Sequence, residues 1–267
     1  MTRIAPPSRL VFLGTPEMAV PPLRALVAAG FDVALVVTRV DKRRGRGSQL
    51  MPSPVKAAAI ELGLPVSHSV DDALAADADL GVVVAFGQLI KPHVLAELAM
   101  VNLHFSLLPR WRGAAPVERA LLAGDTETGV TIHETVKELD AGPIAAQRPF
   151  LLTPDDDAGT VFARSVELAD ELLAEVLPEP AFRPQTGEPT YAAKIEPVDR
   201  ELDLTDPVDS FNRIRALSPH IGARGELRGR GVTIWRARLE DGELVPLEVQ
   251  PEGGKRMAYD AFIRGIR

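Results

Sequence analysis

Residues 80–105, LGVVVAFGQLIKPHVLAELAMVNLHF, contain the pattern that decides the fold. LGVVVA (80–85) is a continuous, β-branched apolar run, as expected of a strand that is covered on both faces. KPHVLAELA (91–99) has helical character, and a second short strand is predicted over 101–105. The order strand, helix, strand is typical of a parallel sheet whose connections are helices.

The same alternation runs through the preceding residues and continues after them. Strands are predicted over Arg9–Gly14 and Asp32–Thr38, and Ser53 has the residue type of an N-cap before a helix that begins with proline. Thr128–Glu134 and Ile144–Leu152 flank the turn-like LDAGP and predict a hairpin-like pair added to the sheet. We therefore predict an α/β fold with a doubly wound, mostly parallel, Rossmann-like sheet.

The C-terminal third of the chain has a different composition. PEPAFRPQTGEPTY (178–191) holds four prolines in fourteen residues, which is typical of an extended linker. One helix, PVDSFNRIRAL (207–217), then precedes short strand-like segments. The predicted organisation is an N-terminal α/β domain over 1–180, a Pro-rich linker over 181–206 and a small β domain over 207–267.

The bulk composition limits the classes of partner and cofactor. The 267 residues carry a formal net charge of −7 and no cysteine. Any nucleic-acid contact must therefore come from a local basic patch, and thiolate nucleophiles, disulfides and Cys-based metal sites are excluded. No apolar run approaches 18 residues, and the N-terminus lacks an apolar signal core. We expect a soluble, cytoplasmic protein with no membrane partner.

Three common cofactor motifs are absent. GTPEMA follows the first strand with a single glycine, so the dinucleotide pattern G-x-G-x-x-G is missing. RRGRGSQL lacks the lysine of a phosphate-binding loop, and His133-Glu134 lacks the second histidine of a zinc protease because residue 137 is Lys. We predict no metal, and we interpret His133 as a structural residue of its strand.

Polar or glycine-containing strand ends occur at 14–17, 86–88 and 102–104, and we expect them to converge on one edge of the sheet. Asn102 and His104 are two residues apart and so face the same side of a strand. Asp140 is the leading candidate for their charge partner. The amide and imidazole suit an oxyanion, and the carboxylate would hold the imidazole and raise its pKa. A turn-capping Asn, a buried structural His and a turn Asp remain open alternatives.

Longer motifs carry a family resemblance. VNLHFSLLPRWRGAAPVERALLAGDTETGVTI (101–132) resembles the signature of methionyl-tRNA formyltransferases, within the 10-formyltetrahydrofolate-dependent formyltransferase family. TRVDKRRGRGSQLMPSPVK (38–56) resembles the basic loop of the same enzymes. FLGTPEMAVPPL, VVVAFGQLI, LDAGPI and PTYAAKI also match, so the resemblance spans the N-terminal 195 residues.

The resemblance implies formyl transfer from 10-formyltetrahydrofolate to the α-amine of methionine on initiator Met-tRNA, by an enzyme without a metal. We expect the protein to be a monomer. Asn102 and His104 would stabilise the tetrahedral oxyanion, while Asp140 orients and charges His104. The residues implied for the folate site are Phe86, Gly87, Gln88, Leu89, Ser106, Leu107, Leu108 and Pro109. The residues implied for tRNA contact are Lys42, Arg43, Arg44 and Arg46. Cations and glycines in one loop suit phosphate contacts. Without the resemblance, the basic stretch 42–47 indicates only a solvated loop.

The chain departs from the family pattern in two places. Phe105 stands where a small residue is frequent, and we expect its side chain to pack on the opposite face from His104. The C-terminal segments resemble the beginning and the end of an OB-like domain whose middle is missing. A closed five-stranded barrel is then not expected, and the domain over 207–267 is predicted to be a shortened OB-like β domain. Its local basic residues are Arg224, Arg228, Arg230, Arg236 and Arg238.

Two other functions stay open on the sequence alone. The first is a formyltransferase with a different amine acceptor, such as an amino sugar nucleotide, against which the basic loop and WRGAAP argue. The second is a non-catalytic folate- or RNA-binding relative. The set formed by Asn102, His104 and Asp140 argues against a pure binding protein, because binding alone does not require it.

Overall fold

The computed structural model describes residues 2–3, 6–44 and 49–265. The described strands are β1 (Thr2–Arg3), β2 (Arg9–Gly14), β3 (Asp32–Val37), β4 (Lys42–Arg44), β5 (Gln49–Met51), β6 (Val66–Ser67), β7 (Leu80–Val84), β8 (Met100–His104), β9 (Arg112–Gly113), β10 (Glu127–Glu134), β11 (Ile144–Leu151), β12 (Ala181–Phe182), β13 (Tyr191–Ala192), β14 (Ala223–Leu227), β15 (Arg230–Glu240), β16 (Glu243–Pro251) and β17 (Met257–Ala258).

The described helices are α1 (Val20–Ala28), α2 (Pro54–Glu61), α3 (Pro92–Glu97), α4 (Pro116–Leu122), α5 (Ala158–Val176), α6 (Pro207–Leu217) and α7 (Tyr259–Arg264). Short 3-10 segments add Glu17–Ala19, Val70–Ala76 and Pro197–Arg200. Among these described helices, none combines the length and the apolar character that crossing a bilayer requires.

The principal sheet has seven strands in the order β11-β10-β8-β7-β2-β3-β6. The five strands from β8 to β6 in this order are parallel, and β10 pairs with β8 in the antiparallel direction. The predicted α/β fold is therefore confirmed, including the pair β10 and β11 added to the parallel strands. The strand order reverses between β2 and β7, which makes their carboxyl ends the topological switch point of the sheet.

Continuous apolar runs explain why the central strands form where they do. Every residue of β7 is buried, and so are the last five residues of β2. The Ser53 side chain accepts a hydrogen bond from the Lys56 backbone N–H at 3.0 Å, so Ser53 caps α2 as predicted. Valine and leucine side chains of β2, β3 and β7 pack against α3 in one core layer. This packing holds the strand ends in fixed relative positions.

The described chain divides into two compact units. The first comprises residues 1–112, 129–149 and 164–190, and the second comprises 113–128, 150–163 and 191–267. The second unit contains the antiparallel sheet β14-β15-β16-β17, whose apolar face packs against α6 and α7. The small C-terminal β domain of the prediction is thus confirmed as a four-stranded sheet. The predicted boundaries at residues 180 and 206 stay predictions.

Asp170 on α5 offers a test of stability that is independent of the site. Burial raises the pKa of its carboxyl to about 6, and no described group bonds its Oδ1. The folded state therefore binds this proton more tightly than the unfolded state, so the stability it contributes is present at low pH and is lost as the pH rises through about 6. We expect Asp170→Asn to stabilise the protein by about 1–2 kcal/mol at pH 8, after a discount for partial exposure, and by less at pH 5.

Urea unfolding at the two pH values measures this difference for Asp170. The exposed neighbour Glu171 provides the control, because Glu171→Gln removes a carboxylate that is not buried. If Asp170→Asn raises the free energy of unfolding equally at pH 5 and pH 8, the raised pKa of Asp170 is contradicted.

Candidate active site

The three polar strand ends predicted to converge do lie at one edge of the sheet. β2, β7 and β8 are adjacent and parallel, so their carboxyl ends point the same way. The Thr15 hydroxyl donates to the Phe86 carbonyl oxygen at 3.1 Å, which joins the segment after β2 to the segment after β7. In open α/β sheets this is the position where ligands bind.

His104 lies at the end of β8 with its imidazole almost completely buried. Its Nε2 lies 2.8 Å from the Trp111 carbonyl oxygen, and its Nδ1 lies 3.7 Å from Asp140 Oδ2. Since a carbonyl oxygen only accepts, Nε2 carries the hydrogen in the neutral ring and Nδ1 carries a lone pair. Asp140 therefore reaches His104 from a distant part of the chain, a contact that spacing alone did not establish.

Asn102 completes the set on the same face of β8. Its Nδ2 lies 3.5 Å from Asp140 Oδ1 and 3.1 Å from His133 Nε2. His133 and Asn102 are directly opposite each other in the pairing of β10 with β8. The rings of His133 and His104 meet edge to face, with centroids 6.1 Å apart. The site thus contains a second imidazole, that of His133, which the sequence pattern predicts to be structural.

Burial controls the charge state of His104. Loss of solvation lowers the pKa of its imidazole below the ordinary value; the Asp140 carboxylate and the Trp111 carbonyl raise it, and His133 lowers it further. Asp140 raises the pKa of His104, as the sequence predicts. The pKa is nevertheless lowered overall, because desolvation is the largest cause. His104 is therefore poised as a neutral proton acceptor, whose lone pair at Nδ1 faces the site.

A clamp on the LDAG turn holds Asp140 in place. The Gln185 side chain donates from Nε2 to the backbone oxygens of Asp140 and Gly142, at 2.7 and 2.8 Å. The Gln185 Oε1 in turn accepts from Arg112 Nη2 at 2.6 Å and from Nε at 3.2 Å. The side-chain amide of Gln185 is fully used in this network, so the turn is fixed by residues from two distant segments.

Backbone strain is concentrated around the same site. Ala85, Trp111 and Asp140 have φ angles of 46°, 65° and 46°, in the left-handed region that residues other than glycine rarely adopt. Ala85 precedes the Phe86 turn, Trp111 supplies the carbonyl that His104 contacts, and Asp140 is the carboxylate itself. Strain of this kind persists where the surroundings impose it, and it is often found at functional sites.

The turn Ser106–Pro109 is held by polar contacts on its inner side. The Thr131 hydroxyl donates to the Ser106 carbonyl oxygen at 2.6 Å and accepts from the Leu108 N–H at 3.2 Å. Gln147 Nε2 donates to the Leu108 carbonyl oxygen at 2.8 Å. Phe105 is buried, as predicted, at 5 % exposure. This turn begins two residues after His104 and so borders the site.

The second predicted ligand turn, Phe86–Leu89, is anchored at one end and open at the other. The Phe86 side chain is buried, whereas Gly87, Gln88 and Leu89 are exposed, and Leu89 retains 83 % of its surface. The Arg39 guanidinium donates to the Gly87 carbonyl oxygen. An apolar side chain this exposed beside the site is available for contact with a bound ring system.

The predicted basic loop forms a hairpin in its described part. β4 pairs with β5 so that Lys42 is opposite Met51 and Arg43 is opposite Leu50, and the Arg44 backbone is opposite Gln49. Arg46 lies outside the described residues. A cavity of about 80 Å³ lies between the base of this hairpin and the end of β2, lined by Thr15, Arg39, Val40, Lys42, Met51 and Ser53.

Three side chains of the site also have the donor types of a metal site. One ligand atom each of His104, His133 and Asp140 lies within 4.8 Å of the others. Both imidazoles turn their second nitrogen to a backbone carbonyl, at Trp111 and at Glu134, as metal-binding histidines commonly do. The same set serves proton transfer equally well, since each atom that faces the centre carries a lone pair.

Sequence reasoning missed several residues of this site for identifiable reasons. The strand pattern around His133 could have indicated its place in the site, since a strand paired in antiparallel fashion with β8 places one of its residues opposite Asn102. Using that signal requires the register, which the residues alone do not specify. Arg112, Gln147 and Gln185 had no signal of their own, because a partly buried amide or guanidinium contact depends on the folded path of distant segments.

Comparison with known proteins agrees with these features. A family described as "Formyl transferase" matches residues 8–177. The methionyl-tRNA formyltransferase of Methylococcus capsulatus is 40% identical over 295 aligned residues, covering 96% of this chain and 96% of that protein. The methionyl-tRNA formyltransferase of Leifsonia xyli is 42% identical and covers 93% and 87%. An alignment of 295 positions exceeds the 267 residues of this chain, so the first relative carries residues that this chain lacks.

Solved structures show the same fold at low sequence identity. The methionyl-tRNA formyltransferase from Clostridium thermocellum aligns with a TM-score of 0.65 at 15% identity, over 91% of this chain and 98% of that one. A 4-N formyltransferase from Francisella tularensis aligns with a TM-score of 0.69 at 17% identity, over 87% and 98%. These structures support the fold. The relatives that are 40–42% identical over most of this chain are methionyl-tRNA formyltransferases, and the chain belongs to the methionyl-tRNA formyltransferase family.

Proposed function

We propose that this protein transfers the formyl group of 10-formyltetrahydrofolate to the α-amine of methionine on initiator Met-tRNA. The observation that carries the proposal is the approach of Asn102, His104 and Asp140 to one another at the switch-point edge of the sheet. An amide donor, a neutral imidazole and a carboxylate are the groups that an acyl transfer to an amine requires.

The roles follow from the geometry of these three side chains. The amine attacks the formyl carbon, and the carbonyl electrons move to the oxygen, where the Asn102 N–H stabilises the negative charge. His104 Nδ1 accepts the proton that the amine loses, and the resulting imidazolium is stabilised by Asp140 at 3.7 Å. The intermediate then collapses, the C–N bond to folate breaks, and the folate nitrogen takes up the proton that His104 carries, which returns the imidazole to its neutral form. The products are formylated Met-tRNA and tetrahydrofolate.

The two turns beside the site are proposed to hold the folate. Phe86–Leu89 offers exposed backbone and the exposed Leu89 side chain, and Ser106–Pro109 offers a rigid wall held by Thr131 and Gln147. The hairpin is proposed to contact phosphates at the acceptor end of the tRNA, because the exposed Lys42 and Arg43 supply positive charge there. The expected monomeric state stays a prediction.

The basic hairpin makes the tRNA proposal testable through salt dependence. Replacing Lys42, Arg43, Arg44 and Arg46 together by Gln is expected to weaken tRNA binding and to reduce the slope of log affinity against log salt, by about 0.7–0.9 for each phosphate that the variant no longer neutralises. Titrations at several salt concentrations measure the slope. Arg24→Gln is the control, since Glu61 already pairs that charge. An unchanged slope in the quadruple variant would remove the hairpin from the tRNA site.

Formyl transfer itself separates the possible functions. Purified protein is incubated with 10-formyltetrahydrofolate and either charged initiator tRNA, free methionine or an amino sugar nucleotide, and the formylated products are identified by mass spectrometry. We expect formylation of the charged tRNA alone. If only a small amine is formylated, that amine and not the tRNA is the acceptor. If no acceptor is formylated, the protein is a binding protein without catalytic activity.

A further inference from the structure

His133 lies against the catalytic amide, in a position that the proposed reaction has not yet used. It faces Asn102 directly across the pairing of β10 with β8, and its side chain is almost fully buried. Its Nε2 lies 3.1 Å from Asn102 Nδ2. A buried imidazole beside a catalytic side chain restricts the orientations that the neighbour can adopt.

The tautomer of His133 follows from its other nitrogen. His133 Nδ1 lies 2.8 Å from the Glu134 carbonyl oxygen, which only accepts. Nδ1 therefore carries the hydrogen, and in the neutral ring Nε2 carries a lone pair. Only a donor can satisfy that lone pair at 3.1 Å, so the Asn102 amide presents Nδ2, and not its oxygen, to His133.

We infer that His133 is a positioning residue that fixes the amide of Asn102 for oxyanion stabilisation; this inference rests on the proposed function. One N–H of Asn102 is used by His133. Nδ2 also donates to Asp140 Oδ1 at 3.5 Å, at the limit of a hydrogen bond, and the oxygen of the intermediate would replace this weak contact. Without His133 only the weak contact with Asp140 orients the amide, which can then rotate and present its oxygen; an amide oxygen would repel the oxyanion.

Substitutions of His133 separate this role from simple packing. His133→Leu keeps an apolar side chain of similar bulk but removes the acceptor, and kcat is expected to fall about tenfold, with KM for both substrates within about twofold. His133→Gln restores an acceptor oxygen near the position of Nε2, and kcat is expected to recover to within about threefold of the unsubstituted protein. Equal losses in the two variants would assign His133 to packing alone. The exposed His220, replaced by Leu, is the matched control.

A double-mutant cycle tests whether His133 acts through Asn102. If it does, His133→Leu has no further effect once Asn102 is already Ala, because no amide remains to be oriented. Independent, multiplicative losses in kcat would overturn the inference. Circular dichroism and the thermal midpoint of each variant show whether the comparison is made between folded proteins.

Nitrogen-15 NMR of the histidine rings in the unsubstituted protein provides a readout that needs no activity. We expect the neutral His133 ring to carry its proton on Nδ1, with the signal identified by its absence from His133→Gln. A proton on Nε2 would overturn the inference, whatever the substrate proves to be. If the expected tautomer is found and no formyl transfer to tRNA occurs, the proposed function fails while the contact between His133 and Asn102 stands.

Discussion

Asp140→Asn is expected to lower kcat/KM for formyl transfer by about two to three orders of magnitude, since it removes the charge that stabilises the His104 imidazolium. Asparagine has nearly the same shape and tolerates the left-handed backbone that Asp140 adopts at φ 46°. The turn and its contacts with Gln185 should therefore persist, and the loss can be assigned to the carboxylate. Steady-state kinetics with charged tRNA and 10-formyltetrahydrofolate give the measurement.

A matched control for this change exists in the same unit. Asp77 also has a left-handed backbone, at φ 50°, and it is exposed. Asp77→Asn should leave kcat/KM unchanged. Activity of the Asp140→Asn variant within a few-fold of the unsubstituted protein would contradict the proposed mechanism.

The pH profile gives Asp140→Asn a second readout. Burial lowers the pKa of His104, and Asp140 acts in the opposite direction. The reactive form is the neutral imidazole, so activity should rise with pH and reach its plateau once His104 has lost its proton. The Asp140 carboxylate raises this pKa, so its removal should lower the pKa. The rise of activity with pH should therefore occur at lower pH in the variant than in the unsubstituted protein.

Gly142→Ala is the second change with a large expected effect. A Cβ at this position would lie 1.8 Å from the Glu134 carbonyl oxygen, and that atom belongs to the backbone of β10 and has little freedom to move. The turn must shift, and Asp140 shifts with it. We expect a loss of about 3 kcal/mol in the free energy of unfolding and at least a roughly hundredfold fall in kcat/KM.

Gly225→Ala is the matched control for Gly142, because the nearest atom to its added Cβ is 3.5 Å away, at ordinary contact distance. Urea unfolding and kinetics are measured on both variants. A Gly142→Ala protein with unchanged stability and activity would show that the turn does not need its close approach to β10.

The main sheet could be predicted because its signals are local. The run LGVVVA and the run RLVFLG are apolar almost throughout and form β7 and β2, the second with the predicted bounds. Ser53 followed by Pro54 marks the start of α2 without reference to the rest of the chain. The convergence of strand ends then follows from the handedness and order of parallel connections.

The site could be predicted only in part, because its remaining features depend on long-range geometry. Asn102 and His104 share a face through local strand periodicity, but the approach of His133 depends on the register of β10. The direction of the His104 pKa depends on the balance of burial against charge, and burial is a property of the folded chain. Sequence patterns show which groups are available; their protonation depends on their surroundings.

The clamp formed by Gln185 changes where the catalytic half of the protein should be considered to end. Asn102, His104 and Asp140 all precede β11, and the last long helix of that half ends at Val176. A truncated fragment that stopped at residue 180 would keep every proposed catalytic side chain but would lack the amide that holds the Asp140 turn. A fragment that extends to Thr190 keeps it. We therefore expect the activity of a truncated fragment to depend on this supporting contact beyond the last helix, and not on the catalytic residues alone.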